Sequence, residues 1–303
     1  MHPPVILMTA NGDHAGVQPP CPACGSSDFV KRFRKKERDF WRCRSCGLER
    51  QFPLPTLESL KEYYDQSYES GLYRAFADAA EMKRLTAQQR LKEVAAYCRP
   101  GRWLDIGCSN GEFMQAASAN GVAAEGIDLS EVAVAEARAR GLTAHCATVE
   151  AFQPGHRYDT ITMFDVLEHV LDPVGFLQAV HRLLVPGGTV AIAVPNQATV
   201  IRRLMGSRWY FYIPEEHMHY FNPHAMELLL RRCGFALVRR ARAHKPLTYR
   251  YSMLQFSEYN PWIYRVLRVL ASPLPDSLLD RPVPLYIGEM MVIARAEGAP
   301  SAP

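Results

Sequence analysis

The stretch Trp103-Leu-Asp-Ile-Gly-Cys-Ser-Asn-Gly-Glu-Phe113 reads as a buried strand that runs into a glycine-bearing turn and then a helix. Leu104 and Ile106 supply the apolar face of the strand, while Gly107 and Gly111 let the backbone fold tightly and approach a ligand that a Cβ would hold off. The helix predicted from about Glu112 to Asn120, stopped at Gly121, turns its free N–H groups back on the turn, which favours an anionic or carboxylate-bearing ligand. The spacing is D-x-G-x-x-x-G and not the G-x-G-x-x-G of nicotinamide-binding folds, so the next strand has to decide. That strand ends Gly126-Ile-Asp128-Leu-Ser130, with an acidic residue 21 positions after Gly107, where a carboxylate can accept from both hydroxyls of a ribose.

Outward from there, Val149-Glu150 follows a third short strand, Tyr158 to Asp165 reads as a fourth, and Pro186-Gly-Gly188 turns into a fifth, Thr189 to Val194. Ser130 caps a helix that runs to Arg140 and stops at Gly141. Strands alternating with helices of about ten residues argue a mainly parallel sheet covered on both faces. The region from about Arg99 to Val194 resembles the class I S-adenosylmethionine-dependent methyltransferases, on Asp105, Gly107, Gly111, Asp128, Phe164-Asp-Val-Leu-Glu-His169 and Pro186-Gly-Gly188 in that order. The resemblance implies an α/β, doubly wound, seven-stranded Rossmann-like sheet. It further implies that Asp105 and the turn from Gly107 through Cys108 to Gly111 hold the methionine part of the cofactor and that Asp128, beside Leu129, holds the ribose. Val149 or Glu150 would border the adenine, and Phe164, Asp165 and Val166 would line the floor beneath the sulfonium. Ser109 stands where many members have a third glycine, which implies an adjusted turn.

At 303 residues the chain is long enough for one large and one small domain. Apolar content of 48%, charged content of 22% and a net charge of +4 are ordinary for a globular protein and do not by themselves indicate a nucleic-acid partner. No apolar run reaches the ~20 residues of a membrane span. Residues 1–20 lack a basic start and a long apolar core, which reads as a loose tail on a cytoplasmic protein.

Cys21-Pro-Ala-Cys24 and Cys43-Arg-Ser-Cys46, 18 residues apart, have the spacing of a tetrahedral four-thiolate Zn²⁺ centre. Residues 21–54 are therefore expected to form a zinc ribbon, and four sulfur ligands leave no position for a catalytic water. A disulfide pair or a redox C-x-x-C is the alternative. Between residues 31 and 50 lie nine Lys or Arg against three acids. They form either a patch for RNA or another anion, with Phe33, Phe40 and Trp41 available to stack, or a solvated hairpin that offsets the thiolates, and the second reading weighs more.

Residues 55–100 read as a helical linker or cap: Thr56 caps a helix over 57–65, Tyr63, Tyr64, Tyr68 and Tyr73 follow, and a helix runs from about Asp78 to Cys98. The methyltransferase domain is expected over 101–298, with insertions at 197–222 and 245–287. The first insertion, with Trp209-Tyr-Phe-Tyr212 and His217-Met-His219, follows the carboxyl end of a parallel strand, where open α/β sheets keep substrate sites. His217 and His219 are the candidate bases there, and His169 is the third. In the second insertion, Trp262 to Ala271 sets Arg265 and Arg268 on an otherwise apolar helix, for core packing or for contact with a lipid surface or partner. The function expected is O-methylation of a small molecule: a sugar, a glycan precursor or a phenol. RNA methylation guided by the basic ribbon and a non-catalytic binding protein on a degenerate fold are the alternatives, and the intact Asp105, Gly107, Gly111 and Asp128 speak against the latter.

Overall fold

The computed structural model describes residues 18–55, 79–250, 252–253 and 261–297. The tyrosines at 63, 64, 68 and 73, the helix expected over 57–65, the start of the tail and the side chain of Trp262 lie outside the described residues. The described elements are β1 (Phe29–Lys35), β2 (Arg38–Cys43), β3 (Glu49–Phe52), α1 (Ala79–Val94), β4 (Arg102–Ile106), α2 (Glu112–Ser118), β5 (Ala123–Asp128), α3 (Glu131–Ala139), β6 (Ala144–Cys146) and β7 (Tyr158–Phe164). After them come α4 (Pro173–Leu183), β8 (Leu184–Pro195), α5 (Val200–Met205), β9 (His219–Tyr220), α6 (Pro223–Arg232), β10 (Phe235–Leu247), α7 (Pro261–Ala271), α8 (Asp276–Leu279) and β11 (Val283–Ala296).

The large sheet has seven strands in the order β10-β11-β8-β7-β4-β5-β6. The five strands from β8 to β6 are parallel, and β11 and β10 close one edge antiparallel. Period-two alternation sends successive residues of one strand to opposite faces, and here both faces are buried. Ile161, Met163, Val190, Ile192 and Val194 pack with Phe176 and Leu177 of α4 and Leu229 and Leu230 of α6. Trp103, Ala191, Ala193, Met291 and Ile293 pack instead with Leu91 and Val94 of α1 and Phe113 of α2. This is the doubly wound, class I methyltransferase arrangement that the motifs imply. Because the chain order reverses between β4 and β7, a crevice opens at the carboxyl ends of those strands.

The cysteine-bearing segment folds as β1, β2 and β3, antiparallel, and its sheet gains a fourth strand, β9, from the loop after β8. Glu49 pairs with Tyr220 and Arg50 with His219. The first insertion is thus built into the ribbon. Phe40, Trp209, Tyr212 and Tyr220 are fully buried together, each contributing on the order of 1.5–3 kcal/mol of apolar burial, and Phe33 stacks on Phe40 at 4.6 Å. This corrects the stacking patch read for Phe33 and Phe40: both rings are spent on packing. Most of the aromatic content of 197–222 has the same use.

Two further boundaries differ from the sequence reading. Lys245 to Leu247 and Val283 to Leu285 pair with one another, so β10 and β11 extend the sheet into the segment read as the second insertion. In α7, Val266, Val269 and Leu270 are exposed, so the core-packing reading does not hold for these residues. No helix among the described residues is long and apolar enough to cross a membrane.

Candidate functional site

The turn after β4 is held in left-handed backbone at Gly107 (φ 75°), Ser109 (φ 48°) and Gly111 (φ 90°). The left-handed backbone at Gly111 is what calls for glycine, and a Cβ there would in addition displace the tip of the Leu142 side chain. Ser109 adopts the glycine-like conformation despite its Cβ, and its N–H donates to Asp128 Oδ2 at 2.8 Å. Asp128 Oδ1 accepts from Ser130 N at 2.9 Å, so one buried carboxylate ties the glycine turn to the end of β5. Each carboxylate oxygen keeps a second acceptor direction, and this pair suits two ribose hydroxyls. Cys108 is buried against Gly126, Leu129 is half-buried beside Asp128, and Val149 is buried next to half-buried Glu150. Phe164 meets Phe113 edge-on at 4.9 Å. The backbone cradle and the buried carboxylate fit the cofactor that the motifs imply.

Burial raises both carboxyls in this cleft, Asp105 to about 7 and Asp128 to about 6, and at Asp105 it outweighs the attraction of Arg90. Asp105 accepts from Thr162 Oγ1 at 2.6 Å across the β4–β7 register, which limits its rise.

Beyond β7 the chain bends through Asp165 at φ 57°, and there four elements meet in a buried ionic network. Arg90 of α1 lies 3.1 Å from Asp165 and 2.9 Å from Glu289 of β11. Lys245 of β10 lies 3.0 Å from Asp165 and 2.5 Å from Glu289. Burial alone would raise Asp165, but Arg90 and Lys245 outweigh it and hold the carboxyl at about 2. Glu168 is the third acid beside Asp165 and Glu289 against two cations, and burial, with Asp165 nearby, pushes its carboxyl well above the usual range. Glu289 is raised as well, by burial first and then by Asp165, so the two glutamates hold their protons more tightly than Asp165 does. Arg90, Lys245 and Glu289 escaped the sequence reading. Glu289 carried a signal, a carboxylate inside the apolar run Met290-Met-Val-Ile-Ala294, whereas nothing in α1 distinguishes Arg90 from its polar neighbours.

The structure brings two of the three candidate histidines together. Met218 N donates to Glu168 O at 2.7 Å, which sets the loop after β8 against the short 3₁₀ turn Leu167–His169. The rings of His169 and His217 then meet edge-on at 4.7 Å, and one ligating atom each from Glu168, His169 and His217 lies within 4.8 Å of the others. His217 Nδ1 is 2.9 Å from Phe211 O, which fixes the tautomer with Nδ1–H donating and the lone pair on Nε2. His219 is elsewhere, in β9 against Arg50 of the ribbon. Burial, then Arg50, pushes its pKa down to about 3, and its surroundings are those of a packed, neutral imidazole.

In the ribbon, Cys21 Sγ and Cys46 Sγ are 3.5 Å apart, as are Cys24 Sγ and Cys43 Sγ, and all four sulfurs lie within 4.8 Å of one another. Zn–S bonds of ~2.3 Å in tetrahedral geometry put sulfurs ~3.8 Å apart, so the four residues fit a zinc ion. Core side chains brace this end: Asn222 Nδ2 donates to Cys46 O at 3.0 Å and Gln197 Nε2 to Gly47 O at 2.6 Å.

Among solved structures, that of a 1,6-didemethyltoxoflavin N1-methyltransferase from Burkholderia thailandensis, with S-adenosylhomocysteine bound, is similar in fold. It has a TM-score of 0.52 and 16% identity, over 88% of this chain and 99% of that one. A ubiquinone biosynthesis O-methyltransferase of Pseudomonas aeruginosa is 37% identical over 103 residues, 31% of this chain and 44% of that protein. One from Aromatoleum aromaticum is 28% identical over 174 residues, 52% of this chain and 74% of that protein. The chain thus spans less than half the length of the first of these relatives. The family model described as a methyltransferase domain matches residues 77–240, from α1 through β4–β8 into β10, and with more than half of the 303 residues inside that match the chain belongs to the methyltransferase domain family.

Proposed function

We propose that this chain methylates a hydroxyl oxygen of a small phenolic molecule with S-adenosylmethionine as donor, His217 acting as general base. The observation that carries this reading is the meeting of His217 and His169 with Glu168 just past Asp165, at the carboxyl end of β7 where the sheet opens its crevice. When bound, the cofactor supplies an electrophilic methyl group on its sulfonium. The turn Gly107 to Gly111 and Asp128 orient it, Phe164 to Val166 line the floor, and Nε2 of His217 takes the acceptor proton. In-line displacement needs positioning above all, with one base, and this set of residues provides both. Oxygen as the acceptor atom is supported by the names of the curated relatives, which are O-methyltransferases.

The base itself favours a phenol over a sugar. A phenol, with a pKa near ~10, gives up its proton to an imidazole far more readily than a hydroxyl with the acidity of water, ~15.7. The His217→Ala variant is expected to turn over a catechol or related phenol ~10² to 10⁴-fold more slowly, with S-adenosylhomocysteine affinity and melting temperature nearly unchanged. Unaltered turnover would remove His217 as the base, and an equal loss of stability would mark it as structural. His219→Ala, by contrast, should lower the melting temperature first. The ribbon's zinc is proposed as structural. One zinc per chain by elemental analysis, lost in Cys21→Ser, is the expected result, and protein purified without chelator that holds none would rule it out.

A further inference from the structure

A cavity of about 490 Å³ opens where the ribbon, the start of α5, the start of α6 and β10 meet. Arg42, Arg202, Arg203 and Arg240 line it, and none of the residues of the cofactor turn, nor Asp128, Glu150 or Phe164, does so. We propose that this groove is a second ligand site, taking the phosphate groups of a small organic di- or triphosphate.

Two of the arginines are held in place before any ligand arrives. Glu49, fully buried behind the wall, lies 2.5 Å from Arg202 Nη2 and 3.8 Å from Arg42 Nη1, and Arg202 Nε also donates to Tyr212 Oη at 3.0 Å. The Arg202 guanidinium is thus fixed at the seam between ribbon and core, with the partly exposed Arg42 drawn toward the same carboxylate, and their forked donors match phosphate oxygens. Arg203 and Arg240, by contrast, make no ion pair among the described residues. The carboxylate in the lining, Glu227, is engaged by Arg231 at 2.7 Å. Four guanidinium groups thus line the concavity, with Glu49 behind Arg202 and Arg42 and with Glu227 matched by Arg231, so the groove keeps a net positive charge. Several forked donors in one concavity suit the many oxygens of a diphosphate better than a single carboxylate. The ten-residue helix α6 adds to it in a small way: its cap, Asn222 Oδ1, serves Ala225 N, and Asn222, Pro223 and His224, at the positive end of the helix, line the groove.

The groove is walled by four separate elements and is of a size for small ligands, ~300–1,000 Å³, and not a stripe that could follow a nucleic-acid backbone. Of the three rings that could have stacked bases, Phe33, Phe40 and Trp41, the first two are packed against Tyr212, and Trp41 does not line the groove. A small ligand here would touch the ribbon through Arg42 and the segment leading to His217 through Arg202 and Arg203, bridging the two parts of the molecule.

The test is calorimetric titration of the full chain with uridine diphosphate, a probe without adenosine, in the absence and presence of saturating S-adenosylhomocysteine. Binding is expected in both conditions, with uridine failing to bind. The variants Arg203→Gln and Arg240→Gln should each weaken it several-fold and the double variant at least tenfold, with S-adenosylhomocysteine affinity and melting temperature unchanged. Arg239→Gln, whose guanidinium stacks on Tyr97 away from the groove, serves as the control. No binding by wild type, equal binding of uridine, competition by S-adenosylhomocysteine, or wild-type affinity in the double variant would each overturn the proposal. So would single-stranded RNA binding tenfold tighter than uridine diphosphate and losing affinity in the same double variant, since that outcome makes the groove part of a nucleic-acid surface.

Discussion

The cofactor cleft and the ionic network past β7 both bury aspartates, yet they move them in opposite directions. Asp105 and Asp128 rise to about 7 and about 6, and Asp165 falls to about 2. Asp105 and Asp128 are buried and Asp165 is half-buried, but the opposite directions follow from what answers each carboxylate. The cleft answers its carboxylates with backbone N–H groups and a threonine hydroxyl, which satisfy lone pairs, while the cation that acts on Asp105, Arg90, is paired with Asp165 and Glu289 instead. The network answers Asp165 with two whole cations, Arg90 and Lys245. A carboxylate held only by hydrogen-bond donors suits a ligand that brings further donors, whereas one held by paired cations is fixed as a charge and serves as scaffold and field.

The comparison breaks most visibly at Arg90. Truncation to Ala leaves Asp165 and Glu289 short of a cation in a buried site, a loss of about 3–5 kcal/mol, or a fall in melting temperature on the order of 10 °C. In a double-mutant cycle, Arg90→Ala with Glu289→Ala should cost less than the sum of the two single changes, and simple additivity would show that the network does not act as a unit. In the cleft the corresponding change is Asp128→Ala. It should weaken S-adenosylhomocysteine binding at least ~100-fold, because it removes charge-assisted acceptors worth ~1.5–3 kcal/mol each and frees Ser109 N from the turn. Wild-type affinity in that variant would detach Asp128 from the ribose.

A finer test uses pH. Asp165 has a folded pKa of about 2, below the ordinary value of 3.8, so the unfolded chain takes up its proton first as pH falls. Its contribution of about 2–3 kcal/mol is complete above pH ~5 and is lost as pH falls through 4 toward 2. Asp105, with a folded pKa of about 7, has the opposite sign: the native state holds the proton between pH ~4 and ~7, and stability declines as pH rises through that window. Asp165→Asn should therefore cost more at pH 7 than at pH 3.5, while Asp105→Asn should gain relative to wild type between pH 5 and 7.5. Denaturant midpoints at these pH values decide it, and parallel profiles for both variants would erase the distinction between the two regions.

By itself the sequence determined the seven-stranded α/β fold, the glycine turn, Asp128 and the two cysteine pairs. The sheet was implied by the resemblance that the motifs carry, and those motifs rest on residues close in the chain: a backbone that goes left-handed at Gly107 and Gly111, a carboxylate one strand on, two cysteines on each tight turn. Such local constraints leave a spacing that can be read. The network of Arg90, Asp165, Lys245 and Glu289 leaves none, because its members are brought together by four elements whose neighbours in the sheet are set only when β11 inserts between β8 and β10. The histidines divide on the same ground. His217 and His219 stand two residues apart in equal sequence surroundings, and only the pairing of β3 with β9 put one into the ribbon seam and left the other beside His169 and Glu168. Tertiary structure likewise decided what the aromatic loop is for, since burial of Trp209, Tyr212 and Tyr220 against Phe40 depends on a strand contributed from about 170 residues away.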